Sequence, residues 1–204
     1  MKKEISKCES FLNKNDIEVG IDEAGRGPLI GRVYAAAVIW PKDLDNSEIK
    51  DSKKISAKKR KILKEWIQEN VLDYGIGYAE PEEIDNLNIL QATYLAMHRA
   101  LNNLKLKFNS ILVDGNRFKN YNQIKHQCII KGDNKFYSIG AASILAKEYH
   151  DEYIKELCKN NLELDANYKL LSNMGYGTKD HINGIKEYGI TQYHRKSFKT
   201  CQNL

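Results

Sequence analysis

Four acids follow apolar runs in this 204-residue chain. Asp22 and Glu23 close the run Ile17–Ile21, and Asp114 closes Asn109–Val113. Asp133 follows His126–Ile130 after Lys131 and Gly132. In an open α/β sheet the crevice beyond the carboxyl ends of the strands is the usual ligand site. Three acid-bearing strand ends would therefore bring four carboxylates to one rim. With nothing cationic among them they repel, and hard divalent cations relieve that repulsion. An all-oxygen donor set selects Mg²⁺ or Mn²⁺ over zinc. Two such ions about 4 Å apart activate a water and stabilise the leaving oxygen in phosphodiester cleavage. Taken singly, each acid also reads as an ordinary turn residue. The coincidence of three strand ends favours a metal site.

Directly after the first pair comes Gly25-Arg26-Gly27-Pro28, two glycines bracketing a cation, then a residue of fixed φ. Glycines let a ligand approach the main chain closely. A hairpin loop with solvated acids is the alternative reading of the same stretch.

The elements that must position these residues follow from periodicity. Ile17–Ile21 and Val33–Trp40 read as two strands that pair with each other. Ser56 stands as N-cap to a helix whose apolar lanes are Ile62/Trp66 and Leu63/Ile67/Val71. Lys53, Lys54, Lys58, Lys59, Arg60 and Lys61 crowd its start. The helix dipole prefers anions there, so the crowd reads either as a solvated lysine face or as a docking point for phosphates. Asp73–Ala79 is a third strand, and a helix runs from Pro81 to about Leu104. Asn109–Val113 then returns parallel to the first group, as a βαβ crossover requires. His126–Ile130 is a fifth strand. A long helix starts near Ser138, with Ala142, Leu145, Tyr149, Tyr153 and Leu157 on one face. No linker separates independent domains, so residues 1–204 read as one domain.

Composition narrows the classes. Thirty-two Lys and Arg against 27 Asp and Glu leave +5, which suits a polyanionic partner without proving one. Four cysteines (Cys8, Cys128, Cys158, Cys201) are too widely spaced for a zinc site or a disulfide framework, which points to a reducing cytoplasm. The basic N-terminus lacks an apolar signal core, and no run approaches the roughly 20 apolar residues that span a bilayer.

The segment Gly20-Ile21-Asp22-Glu23-Ala24-Gly25-Arg26-Gly27-Pro28-Leu29 resembles the signature of the ribonuclease HII family. The likeness continues in order through Asp51-Ser52-Lys53-Lys54, Val113-Asp114-Gly115-Asn116, Lys131-Gly132-Asp133, Ser138–Lys147, Gly175-Tyr176-Gly177-Thr178 and His194-Arg195-Lys196-Ser197-Phe198. It implies a single ribonuclease H-like catalytic domain over residues 1–204, a mixed five-stranded sheet flanked by helices with a C-terminal helical extension (about 160–204). It implies metal-dependent cleavage of RNA in RNA–DNA hybrids and 5′ of single ribonucleotides embedded in duplex DNA. By the same resemblance Asp22, Glu23, Asp114 and Asp133 hold the metal, with Asp151 a rival for the fourth place. Asp133 is preferred because it lies with the other three, whereas Asp151 falls inside the long helix. Gly25, Arg26 and Gly27 would meet the ribose 2′-hydroxyl and its phosphate, and Tyr176 the neighbouring sugar. Tyr176 by itself would read as a core or turn tyrosine. Lys53, Lys54 and the basic tail would contact backbone phosphates. The chain departs from the family's usual residues at Ile30, Arg32, Gly140, His150 and Met174. About 16 residues precede the first strand, which sets the sister type, ribonuclease HIII, aside. A non-catalytic nucleic-acid-binding domain and another nuclease of the same fold are the rivals; a monomer is expected.

Overall fold

The computed structural model describes residues 8–49 and 55–202. Five strands form one sheet: β1 (Glu18–Ala24), β2 (Val33–Ile39), β3 (Asp73–Ala79), β4 (Ser110–Asp114) and β5 (Lys125–Ile129). Their order is β3-β2-β1-β4-β5. The pairs β3–β2 and β2–β1 are antiparallel, and β1–β4 and β4–β5 are parallel. The sheet is therefore mixed, with β1 at its centre.

Helix α1 (Ala57–Asn70) begins where the sequence predicts, the Ser56 side chain accepting from the Lys59 N–H. The helix expected from Pro81 to Leu104 is two: α2 (Pro81–Leu87) and α3 (Ile89–Asn102). Asn88 breaks it at φ +70°, a region asparagine tolerates, and its side chain caps α3 by accepting from Leu90 N and Gln91 N. The apolar spacing is continuous across the break, so periodicity could not show it.

Each face of the sheet has its own core because strand side chains alternate. Val19, Ile21, Val33, Ala35, Ala37, Ile111 and Val113 pack on Ala92, Ala96, Met97 and Ala100 of α3. Ala36 and Val38 face Leu63 and Ile67 of α1 and Tyr137, Ala141 and Leu145 of α4 (Tyr137–Asn160). Gly20 lets α4 lie flush on β1, since a Cβ there would stand 2.4 Å from the Ser138 carbonyl carbon.

After α4 come α5 (Leu162–Tyr168), α6 (Leu170–Asn173), α7 (Lys179–Tyr188) and α8 (Lys199–Gln202). Their apolar residues Leu164, Tyr168, Leu170 and Ile185 enclose Leu29 and Ile30, the stretch just beyond the Gly-Arg-Gly turn.

Candidate active site

Asp22 and Glu23 are not past the end of a strand, as their place after Ile21 suggested. β1 continues to Ala24, with Asp22 opposite Ala36 and Glu23 opposite Ala35 on β2. On its other side β1 is paired with β4 only as far as Ile21–Val113. Asp22 and Asp114 are the next residues on these two parallel strands, so both leave the ladder at one level. The rim exists on the β4 side alone.

Asp22 points toward α4. It is buried, 6% exposed, and accepts hydrogen bonds from the Glu23 N–H (2.7 Å) and the Ser143 hydroxyl. Burial, then the charges of Glu23 and Asp114, raise its pKa well above the usual carboxylate value. Asp114 is raised as well, chiefly by burial, although its Oδ1 accepts from Gly132 N at 2.7 Å. Asp133 lies not on β5 but in the 3-10 turn Gly132–Asn134 that joins it to α4. There its Oδ1 accepts from the Asn134 amide at 2.7 Å. Glu23 accepts from Arg26 Nη1 at 2.9 Å.

All four acids, with Gly25, Arg26, Gly27, Ser143, Lys147 and Tyr176, line one open cleft of about 470 Å³. A second cleft of about 420 Å³ shares Glu23, Arg26 and Asp114 and runs on past Asn116 and Arg117 along α3. Strand alternation explains the pair: neighbours on β1 point to opposite faces, Asp22 toward α4 and Glu23 toward α3. For the same reason the acids share a rim without converging. Among the described residues no three His, Cys, Asp or Glu side chains are arranged to hold a metal ion. Each of the four instead leans on a protein donor.

The donor set nonetheless fits hard divalent cations. All four acids present only carboxylate oxygens, and two of them are disfavoured as anions by burial and mutual repulsion, which a cation would reverse. Nor is the cleft without positive charge, as the sequence suggested. Arg26 faces Glu23, and Lys147 lines the wall one helical turn beyond Ser143.

Asp151 is elsewhere. It receives Lys147 Nζ (2.7 Å), His150 Nδ1 (3.0 Å) and Arg60 Nη2 (3.1 Å), and it does not line the cleft. Burial works to raise its pKa, yet His150 and Lys147 hold it below the ordinary value. Arg60 also grips Glu148 at 2.7 Å, and Lys59 pairs with Glu48 at 2.6 Å. Carboxylates, not phosphates, thus answer these two of the cations crowding the start of α1. Lys53 and Lys54 lie outside the described residues.

The Gly-Arg-Gly turn is held from behind. Gly25 adopts φ +86°, and a Cβ there would be 2.4 Å from Cδ2 of the buried His150. Gly27 faces the half-exposed ring of Tyr176. The tail corrects the sequence reading most: Arg195 and His194 are fully buried, so neither touches a phosphate. Arg195 donates to the carbonyls of Gly25, Arg26, Pro28, Gly31 and Arg32 instead. Isolated basic residues in a polar tail carry no periodicity that could announce such a role.

A ribonuclease HII family model matches residues 19–201. The chain belongs to the ribonuclease HII family. It is 50% identical over 188 residues to the ribonuclease HII of Phocaeicola vulgatus, covering 92% of each chain. It is 46% identical over 188 residues to that of Pelagibacter ubique, covering 92% of this chain and 98% of the relative. Among solved structures, the ribonuclease H2 from Pyrococcus horikoshii OT3 superposes with a TM-score of 0.71 at 26% identity, over 91% of this chain and 95% of that one. Bst-RNase HIII in complex with Mn²⁺ gives 0.68 at 19% identity, over 91% and 68%, a likeness of fold. The architecture is therefore that of ribonuclease H. The protein is a metal-dependent endonuclease, a hydrolase of the ribonuclease H class.

Proposed function

We propose that this enzyme cuts the RNA strand of RNA–DNA hybrids and the bond 5′ of a single ribonucleotide in duplex DNA, leaving 3′-hydroxyl and 5′-phosphate ends. The observation that carries this reading is the shared cleft, which the four acids line together with the Gly25-Arg26-Gly27 turn and Tyr176. The 2′-hydroxyl is what tells RNA from DNA, and the exposed backbone of Arg26 and Gly27 is suited to meet it.

Asp22, Asp114 and Asp133 would hold one divalent ion, Mg²⁺ or Mn²⁺, and Glu23 with a neighbouring carbonyl a second. When bound, the ions supply an activated water and neutralise charge on the departing 3′-oxygen. Ser143 orients Asp22 from α4. Arg26 would exchange Glu23 for the phosphate next to the ribose, and the Tyr176 ring would lie against the adjoining sugar. The cleft along α3 extends the track for the strand beyond the acids. Lys53 and Lys54 are assigned to backbone phosphates on the family resemblance.

We also propose that it works as a monomeric single domain in the cytoplasm. No disulfide joins its cysteines, and among the described residues no helix is long and apolar enough to cross a membrane. The test of function is direct. With Mg²⁺, a duplex carrying one ribonucleotide should be nicked at that position while an all-DNA duplex stays whole. Cutting of both duplexes, or of neither, would overturn the reading.

A further inference from the structure

The pair His194-Arg195 is buried beneath the two parts of the cleft assigned to the sugar. A guanidinium has five N–H donors, and in Arg195 all five are used. Nε donates to Gly31 O (2.9 Å), Nη1 to Arg26 O (3.1 Å) and Pro28 O (2.7 Å), and Nη2 to Gly25 O (2.7 Å) and Arg32 O (3.0 Å). These acceptors are all main-chain oxygens of one turn. A buried cation answered by carbonyls alone fixes backbone conformation, because each acceptor lost would leave a buried donor unpaired.

His194 acts on the other side. The Thr191 N–H can only donate, so His194 Nδ1 accepts from it at 3.0 Å and the His194 proton sits on Nε2. That proton faces His181 Nε2 at 3.2 Å, which leaves the His181 proton on Nδ1, 3.0 Å from the Tyr176 carbonyl. The chain of donors has one consistent direction and ends on Tyr176, whose carbonyl also accepts from Thr178 N. Main-chain bonds lace the two sides together: Leu29 N to Gly175 O, Gly31 N to Tyr193 O and Arg195 N to Leu29 O.

We propose that His194-Arg195 is the positioning element of ribose recognition, Arg195 setting the Gly25-Arg26-Gly27 backbone and His194, through His181, setting Tyr176. This rests on the reading that these groups sense the sugar. The test measures binding of a duplex with one ribonucleotide and of the matching all-DNA duplex, on an Asp22→Asn background so that neither is cut. Arg195→Lys keeps the charge but loses the fork. His181→Gln carries its amide toward the Nε2 position and abandons Tyr176. Each should lower the ribonucleotide preference by about tenfold or more, the scale of a small misplacement of binding groups. His181→Asn, whose amide mimics Nδ1 but does not reach His194, should recover only part of it, and full recovery would overturn the role of His194. A lowered thermal midpoint with an unchanged preference would reduce the pair to a structural role and overturn the proposal. No preference in the parent would refute ribose sensing itself, and the positioning role with it. Should the variants not fold, amide exchange in the unaltered protein decides. The Leu29 and Gly31 amides should exchange only with global unfolding, and fast exchange there would overturn the proposal.

Discussion

Gly27 and Tyr176 face each other so closely that a methyl group on the glycine would stand 3.1 Å from Cε1 of the ring. The ring is half-exposed and can yield by a few tenths of an ångström, so Gly27→Ala should fold with a thermal midpoint within a few degrees of the parent. The added carbon would narrow the slot meant for the sugar. Cleavage at a single ribonucleotide should fall by roughly tenfold to a hundredfold in kcat/KM. Undiminished cleavage would show that the sugar does not pass between these residues.

Asp22 trades stability for a ligand. Burial and the charges of Glu23 and Asp114 oppose its ionised form. Asp22→Asn should therefore stabilise the metal-free protein by about 1 kcal/mol while nearly abolishing cleavage. Adding Mg²⁺ should raise the midpoint of the parent and move that of the variant much less. Thermal scans with and without metal decide it.

Asp133 and Asp151 should separate cleanly. Asp151→Asn removes the shared partner of Lys147, His150 and Arg60, and a broken buried pair costs about 3 kcal/mol. Its metal affinity should stay close to the parent value. Asp133→Asn should do the opposite, with little loss of stability and a large loss of cleavage. Calorimetric metal titration beside denaturant unfolding would expose a reversed assignment.

The histidine relay predicts an acid limb in stability. His194 is buried between His181 on α7, Tyr168 on α5 and Thr191. Burial, then His181, lowers its pKa from 6.5 to about 3. Below pH 6.5 the unfolded chain takes up a proton that the folded one refuses. Stability is thus full above 6.5 and declines toward pH 3, by up to about 1.4 kcal/mol per pH unit from this group. Denaturant midpoints across that window should fall less steeply in His194→Gln.

Much of this was legible in the sequence, and the exceptions share a cause. β3 and the Ser56 cap fall where alternation and capping chemistry put them, because both are local signals. Asn88 escaped notice since the apolar spacing runs through it unbroken. The end of β1 lies three residues beyond Ile21, at Ala24, because a strand paired on one side only has no sharp end in sequence. Arg195 reads in sequence as one more phosphate contact of the basic tail, and its burial does not show there. Its partners lie up to 170 residues away, and nothing in a basic tail distinguishes a buried guanidinium from a solvated one.

That separation sets an order of events during synthesis. All four acids have been made once Asp133 is added, and the catalytic rim can form from strands already present. The turn beside it acquires its internal fork only 62 residues later, roughly 3 to 12 seconds at ordinary translation rates. A nascent or prematurely terminated chain would thus carry its acids without a fixed sugar-reading turn. The part that tells substrates apart is the last to be set.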